Sequence, residues 1–196
     1  MNANQPSMPD GQDPLWPLYE YRAAEMHGAG AIMRIARLAD SSELAADLSR
    51  HLRDEAVHAW LWTNAIRELG GEVIDVDVPY QARLGIRFGL PRTLTELLAL
   101  TFVSECRGVK QYQQHLDTTH VPPLIQRTLR IILKDEHWHV SYITDELQRR
   151  ARTEHGVQDI IDRALAVDEQ VMDDLAAERQ LQAGAALGDV PWPSKR

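Results

Sequence analysis

The sequence predicts an all-α protein, and three observations carry the prediction. Apolar residues recur at intervals of three and four along most of the 196 residues. No stretch alternates with period two for more than a few positions, and Ser, Thr, Asp, Pro and Gly stand where helices of this kind start and stop. Four long helices are expected, with a long crossover between the second and third and an additional helix towards the C-terminal end. They form one domain over residues 14–183, between polar tails over 1–13 and 184–196.

The first helix is read from about Pro14 to Ala39, with Pro17 in the opening turn, where its missing N–H would have had no partner anyway. Asp40, with Glu43 three residues on, resembles a capping box for the second helix, and Gly70 and Gly71 suit a left-handed C-cap at its end. From Glu72 to Arg92 the chain carries Val, Ile, two prolines and two glycines without a lasting helical period, which reads as the crossover. Thr93 with Glu96 is a second capping box, opening a helix that lasts to about Asp117. Pro122 and Pro123 begin the fourth, which stops near Gly156. The last carries the amphipathic stripe Val157, Ile160, Ile161, Ala164, Leu165, Val171, Met172 and Leu175, suited to packing on the outside of a bundle or on another subunit; a homodimer is expected.

The inward stripes contain residues that do not belong in an apolar core. On the fourth helix Leu129, Ile132, Glu136, His139, Ile143 and Leu147 share a face, and on the second Leu48, Leu52, Glu55, His58, Trp62, Ile66 and Leu69 do. The third aligns Leu98, Phe102, Glu105, Val109, Tyr112 and Leu116, and the first aligns Leu18, Glu25, Ile32 and Ile35. Each long helix thus directs one carboxylate inward. An unpaired buried carboxylate costs several kcal/mol or shifts its pKa by as much as ~3–5 units, so four in one interior call for cations.

Spacing and level agree with that demand. Each E-x-x-H pair sits within roughly 5–6 Å on one helix face, close enough to share an ion, and two pairs imply two ions. Glu25 and Glu55 each lie fifteen residues from Asp40, so a hairpin turning there sets both about 22 Å from the turn at ~1.5 Å per residue. Glu105 and Glu136 straddle a second turn near His120 and Val121 almost as evenly, and Glu20 would sit about 7.5 Å out of level. The expected ligands are therefore Glu25, Glu55, His58, Glu105, Glu136 and His139. Four negative charges balance two divalent cations, and oxygen-rich ligands with one imidazole per ion suit iron, or a manganese–iron pair, better than zinc. The Asp before each pair, Asp54 and Asp135, is a candidate to accept the second N–H of a ligand histidine, the alternative being an ordinary surface salt bridge.

Composition excludes other classes. With a formal net charge of −8 and no run of Lys and Arg, a nucleic-acid partner is not expected. Cys106 is the single cysteine, so no internal disulfide or cysteine-built metal site exists within the chain. No apolar run approaches the ~20 residues of a membrane span and no leader is legible at the start, so a cytoplasmic location is expected.

One Glu, then D-E-x-x-H, one Glu, then D-E-x-x-H resembles the ferritin-like diiron carboxylate proteins over about Leu18 to Arg150. The resemblance implies an up-down four-helix bundle with two irons, reduced by an external ferredoxin or reductase, that activates dioxygen or peroxide to oxidise a small organic molecule. Departures narrow it. One cysteine allows no rubredoxin-like iron site, no extra Glu lies one turn from Glu105, and Trp62 stands where a ribonucleotide reductase subunit carries its radical tyrosine. The long crossover looks most like aldehyde-deformylating oxygenases. The alternative from the same resemblance is a ferroxidase or peroxide-scavenging protein without an organic substrate.

Trp60, Trp62, Trp138, Phe102, Tyr112 and Tyr142 are read as core packing rather than as a pocket wall. His27, His51, His115, His120, His137 and His155 fall off the ligand stripes or out of level and are read as mostly solvent-facing, and Cys106 as a small buried hydrophobe.

Overall fold

The computed structural model describes residues 14–188, with side chains described to residue 178, so the expected tail over 1–13 and the last residues of the C-terminal tail lie outside the described residues. Among the described residues there are six α-helices and no strand: α1 Trp16–Ala36, α2 Ser42–Glu68, α3 Tyr80–Phe88, α4 Leu94–Leu116, α5 Pro123–Arg150 and α6 Val157–Gly188. None is long and apolar enough to cross a membrane.

Local chemistry explains most boundaries. Pro17 falls in the first turn of α1. The N-cap of α2 is Ser41, whose hydroxyl accepts from the Leu44 N–H, rather than Asp40. Asp40 is drawn instead to the guanidinium of Arg150 at 2.6 Å, a partner 110 residues away that no local pattern announces. Thr93 and Glu96 form both halves of the capping box at α4. The turn between α4 and α5 passes through His120, a non-glycine residue in left-handed conformation at φ 70°, with Pro123 in the first turn beyond it. α5 ends at Arg150, six residues before Gly156. The crossover is not helix-free: α3 forms within it and buries Leu84 and Phe88. α6 continues to Gly188, past residue 183 where the sequence suggested a tail.

α1 packs on α2, α4 on α5 and α2 on α5, while α6 lies over α3 and α4. Two apolar clusters fill the interior between the long helices. One gathers Leu18, Trp62, Ile66, Leu129 and Ile132, and the other Ile32, Leu48, Leu98, Ile143 and Leu147. Along every long helix the predicted glutamates and histidines fall between these clusters, so a polar layer lies between two dry ones. A third cluster, with Leu84, Phe88, Val103, Ala164 and Val171, fastens α3 and α6 to the outside of α4. Of the aromatics assigned to the core, Trp62 is fully buried but Trp60 is 57% exposed, because it lies off the stripe that Glu55, His58 and Trp62 define. Leu69, at the C-cap of α2, is also exposed.

Candidate metal centre

The polar layer brings together all six expected ligands. Glu25 comes from α1, Glu55 and His58 from α2, Glu105 from α4, and Glu136 and His139 from α5, each no more than 9% exposed. His58 Nδ1 lies 3.1 Å from Glu136 Oε1 and 3.5 Å from Glu25 Oε2. His139 Nδ1 lies 3.3 Å from Glu136 Oε2 and 3.4 Å from Glu105 Oε2. The Glu136 carboxylate therefore spans the two imidazoles. Tyr112, on α4, donates its hydroxyl to Glu25 Oε1 and fixes that carboxylate from the far side of the interior.

A seventh residue belongs to the layer. His51, assigned to solvent by its sequence position, is completely buried; its Nε2 lies 3.4 Å from Glu55 Oε1 and 3.5 Å from Glu105 Oε1. Its ring stacks on His139 at 3.7 Å between centroids. The missed signal is spacing: His51, Glu55 and His58 follow one another at four and three residues, which holds them on one face of α2. Two sets of side chains could each hold a metal ion, with ligand atoms within 4.8 Å of one another: His51, Glu55, Glu105 and His139 in one, Glu25, Glu55, His58 and Glu136 in the other. Glu55 belongs to both. Cys106, half-buried, belongs to neither.

Each histidine turns one nitrogen inward and the other to an outer group. His51 Nδ1 meets the Tyr142 hydroxyl at 2.8 Å, His58 Nε2 meets Asp135 Oδ2 at 3.4 Å, and His139 Nε2 faces Asp54 Oδ2 at 3.5 Å. Asp54 and Asp135 thus lie against two of the candidate ligand histidines, across the α2–α5 contact. Asp54 also takes the guanidinium of Arg53 and lies 3.7 Å from Arg50. In the tautomer that leaves the inner nitrogen as a lone pair, the outer N–H groups of His51 and His58 donate to Tyr142 and Asp135, fixing those rings, while His139 Nε2 faces Asp54 without a hydrogen bond.

Buried atoms without partners test whether metal ions fit. His51 Nε2 and His58 Nδ1 are buried, inward-facing and without a hydrogen bond among the described residues, a state that costs roughly 1–3 kcal/mol per group. A cation between them and the carboxylates removes that cost. The protein alone compensates with protons. Burial and the charges of Glu25 and Glu105 push the Glu55 carboxyl well above its ordinary range, and burial with the Glu105 charge raises Glu136 to about 7. Burial alone would lower the histidines, but the Glu136 and Glu25 carboxylates beside its Nδ1 hold His58 up at about 12, and those of Glu105 and Glu136 hold His139 at about 9. Glu105 goes the other way: burial would raise it, but the His51 and His139 imidazoles beside it keep it well below the ordinary range. Buried carboxylates shifted in this way are what divalent cations could neutralise.

The layer is open on one side. A cavity of about 1110 Å³ runs between α1 and α4, under the crossover and α6, and reaches Glu25, Glu55, Glu105 and Glu136. Small residues make the space: Ala24 and Gly28 on α1 stand opposite Ser104 and Gly108 on α4, while Trp16, Tyr21 and Tyr112 supply aromatic wall. Gly28 has a second role, since a Cβ there would overlap Glu55 Oε2 and lie 3.1 Å from its Cδ. His115, expected at the surface, is half-buried beside this cavity, where it meets the Tyr21 hydroxyl at 3.1 Å.

No protein-family model matches the chain, and no curated protein and no solved structure matches it significantly.

Proposed function

We propose that the chain is a ferritin-like diiron carboxylate oxidoreductase. In this reading α1, α2, α4 and α5 are the four-helix bundle, two irons per chain (or a manganese–iron pair) are held in its polar layer, and dioxygen or peroxide is used to oxidise a small organic molecule. The observation that carries it is the convergence of four buried glutamates and three buried histidines, one helix contributing to both ion positions through Glu55. His51, Glu55, Glu105 and His139 would hold one ion and Glu25, Glu55, His58 and Glu136 the other. When bound, such a pair supplies Lewis acidity and a redox couple for reducing dioxygen.

The chain's own residues do the rest. Tyr142 and Asp135 orient the imidazoles of His51 and His58 and raise their basicity, and Asp54 faces His139. Tyr112 holds Glu25 in place, with its own proton retained because burial and the Glu25 and Glu136 charges push its pKa well up. The two apolar clusters exclude water above and below the layer, leaving the α1–α4 cavity as the approach for a substrate. An iron-oxidising or peroxide-consuming protein without an organic substrate would use the same ligands. The size and aromatic wall of the cavity favour an organic molecule.

Anaerobic loading with ferrous iron, followed by dioxygen and watched by optical and Mössbauer spectroscopy, tests the reading. The expected result is about two irons per chain in a spin-coupled pair. A fully stable protein that takes up no iron, or iron with no coupled species, sinks it.

A further inference from the structure

The cavity beside the metal layer is a trough with a direction. α1 and α4 run antiparallel along it: Tyr21 packs on Tyr112 and His115, whereas Glu25, a turn later in α1, shares the layer with Glu105, two turns earlier in α4. From Gly28 and Ser104 at the layer to Pro17 and His115 at the far end, each helix rises by eleven residues, or about 16 Å at ~1.5 Å per residue. The crossover roofs the trough with Asp77 and Gln81, and α6 closes its flank with Met172 and Leu175.

Its wall is charged, but the basic groups are already engaged. Arg83 Nη1 lies 2.8 Å from Glu178 Oε1, and Arg107 makes a forked pair with Asp168 through Nε at 3.0 Å and through Nη2. Asp168 is buried and also accepts from the Tyr80 hydroxyl at 2.7 Å, so an anion that took Arg107 away would strand a buried carboxylate. Burial lowers the pKa of His115, which leaves that ring uncharged near neutral pH. Two groups of the roof are in the opposite condition. Asp77 is exposed and has no ion pair among the described residues. Gln81 Oε1 is buried and accepts no hydrogen bond among them, a cost that a donor reaching it from the cavity removes.

We propose that this trough binds an amphiphilic organic amine, its apolar body lying between α1 and α4 and its ammonium group under the crossover at Asp77 and Gln81. That the amine is the molecule oxidised rests on the diiron reading above; its binding does not. An ammonium brings both the N–H that Gln81 Oε1 lacks and the charge that Asp77 lacks, and the aromatic rings of Trp16, Tyr21, Tyr80 and Tyr112 in the wall favour a cation over an anion. A carboxylate or phosphate meets only engaged guanidinium groups, on a chain whose net charge is already −8. A plain hydrocarbon chain leaves Gln81 Oε1 without a donor, and an alcohol satisfies Gln81 but not Asp77.

Calorimetry on the full chain, metal-free in chelator and again after anaerobic ferrous loading, compares three probes that differ at one end: phenylbutylamine, phenylbutanol and phenylbutyrate. The amine is expected to bind about tenfold tighter than the alcohol, and phenylbutyrate not at all. Asp77→Asn weakens the amine ~threefold to fivefold and leaves the alcohol unchanged, whereas Gln81→Leu weakens both ~fivefold, because both donate a hydrogen bond. Glu72→Gln, at an exposed crossover carboxylate outside the cavity wall, makes the same change of charge and alters neither. Alcohol or carboxylate bound as tightly as the amine overturns the proposal, as do amine binding indifferent to Asp77→Asn and Gln81→Leu, amine binding that iron uptake abolishes, which would put the ammonium among the carboxylates of the layer, and no binding of any probe. Iron content and the Mössbauer spectrum of the same samples report on the metal pair separately: an amine bound as described by a chain that takes up no iron would remove the diiron reading and leave this site standing.

Discussion

Replacing Gly28 by Ala sets the fold and the site against each other. Gly28 lies in the interior of α1, where glycine is about 1 kcal/mol worse than alanine, so on helix propensity alone the variant is the more stable protein. The added Cβ, however, would sit inside the van der Waals envelope of Glu55 Oε2 and 3.1 Å from its Cδ, where carbon contacts settle at roughly 3.5–4.0 Å. A carboxylate at the end of two methylenes can swing away, so the helix survives. It must retreat by on the order of 1 Å, and Glu55 serves both ligand sets, whose donor atoms all lie within 4.8 Å. The expected outcome is a metal-free protein that melts at the same temperature or slightly higher, with iron affinity lowered about 10–100-fold at both positions, the size of effect seen when ligand support is disturbed. Calorimetric melting in chelator and iron titration by Mössbauer spectroscopy read the two quantities independently. Full occupancy with an unchanged spectrum would refute the reasoning, since it would mean that Glu55 is not held where the geometry puts it.

Three other variants or conditions probe separate parts of the structure. His51→Ala is expected to remove about one iron per chain while the helices remain intact by circular dichroism, and His58→Ala to remove the other; two irons in either variant would show the ligand sets wrongly drawn. Arg150 is 4% exposed and binds Glu146, Glu154 and Asp40, tying α5 to the α1–α2 turn, so Arg150→Met should cost about 3 kcal/mol in denaturant unfolding without touching iron content. The metal-free protein should lose stability as pH rises. His139, at about 9 in the fold against 6.5 ordinarily, contributes fully below about pH 6.5 and ceases to as pH passes about 9, and Glu136, raised from 4.5 to about 7, acts in the same sense at lower pH. Iron binding displaces those protons and strengthens over the same interval, so melting curves with chelator and with iron should diverge between pH 6 and 9; a metal-free melting temperature that climbs across that range contradicts the proton assignment.

The four inward glutamates were legible because a carboxylate on an otherwise apolar stripe is conspicuous, and counting residues from each turn put them at one height. His51 was not. It lies a turn nearer the first hairpin than Glu55, so a level drawn through the glutamates leaves it out, although an imidazole reaching along the helix axis spans that turn. The sequence does carry the signal, in the four-and-three spacing of His51, Glu55 and His58. α3 offers a different lesson: with apolar pairing at Leu84 and Phe88 over nine residues, its own pattern is too short to exceed loop statistics, and the shared cluster with Ala164 and Val171 decides its conformation. Asp40 lost the cap of α2 to Ser41 for a cause equally invisible locally, its ion pair with Arg150 at the far end of α5.

With His51 included, the two candidate ligand sets are chemically unequal. The set of His51, Glu55, Glu105 and His139 has two imidazoles and two carboxylates, whereas the set of Glu25, Glu55, His58 and Glu136 has one imidazole and three carboxylates. A harder, more anionic environment favours the higher charge state of a metal, and an imidazole-rich one the lower, so under the proposed diiron reading the set with His58 is the one expected to hold the more oxidised ion in a mixed-valence or manganese–iron state. In the metal-free protein Glu105, whose pKa is held low between His51 and His139, stays ionised, while the shared Glu55 and Glu136 are the carboxyls pushed towards the protonated form. The site is thus graded along the helix axis, with His51 of α2 at one end, His58 at the other and the shared Glu55 between them, and with His139 and Glu105 set against Glu136 and Glu25 on the facing helices.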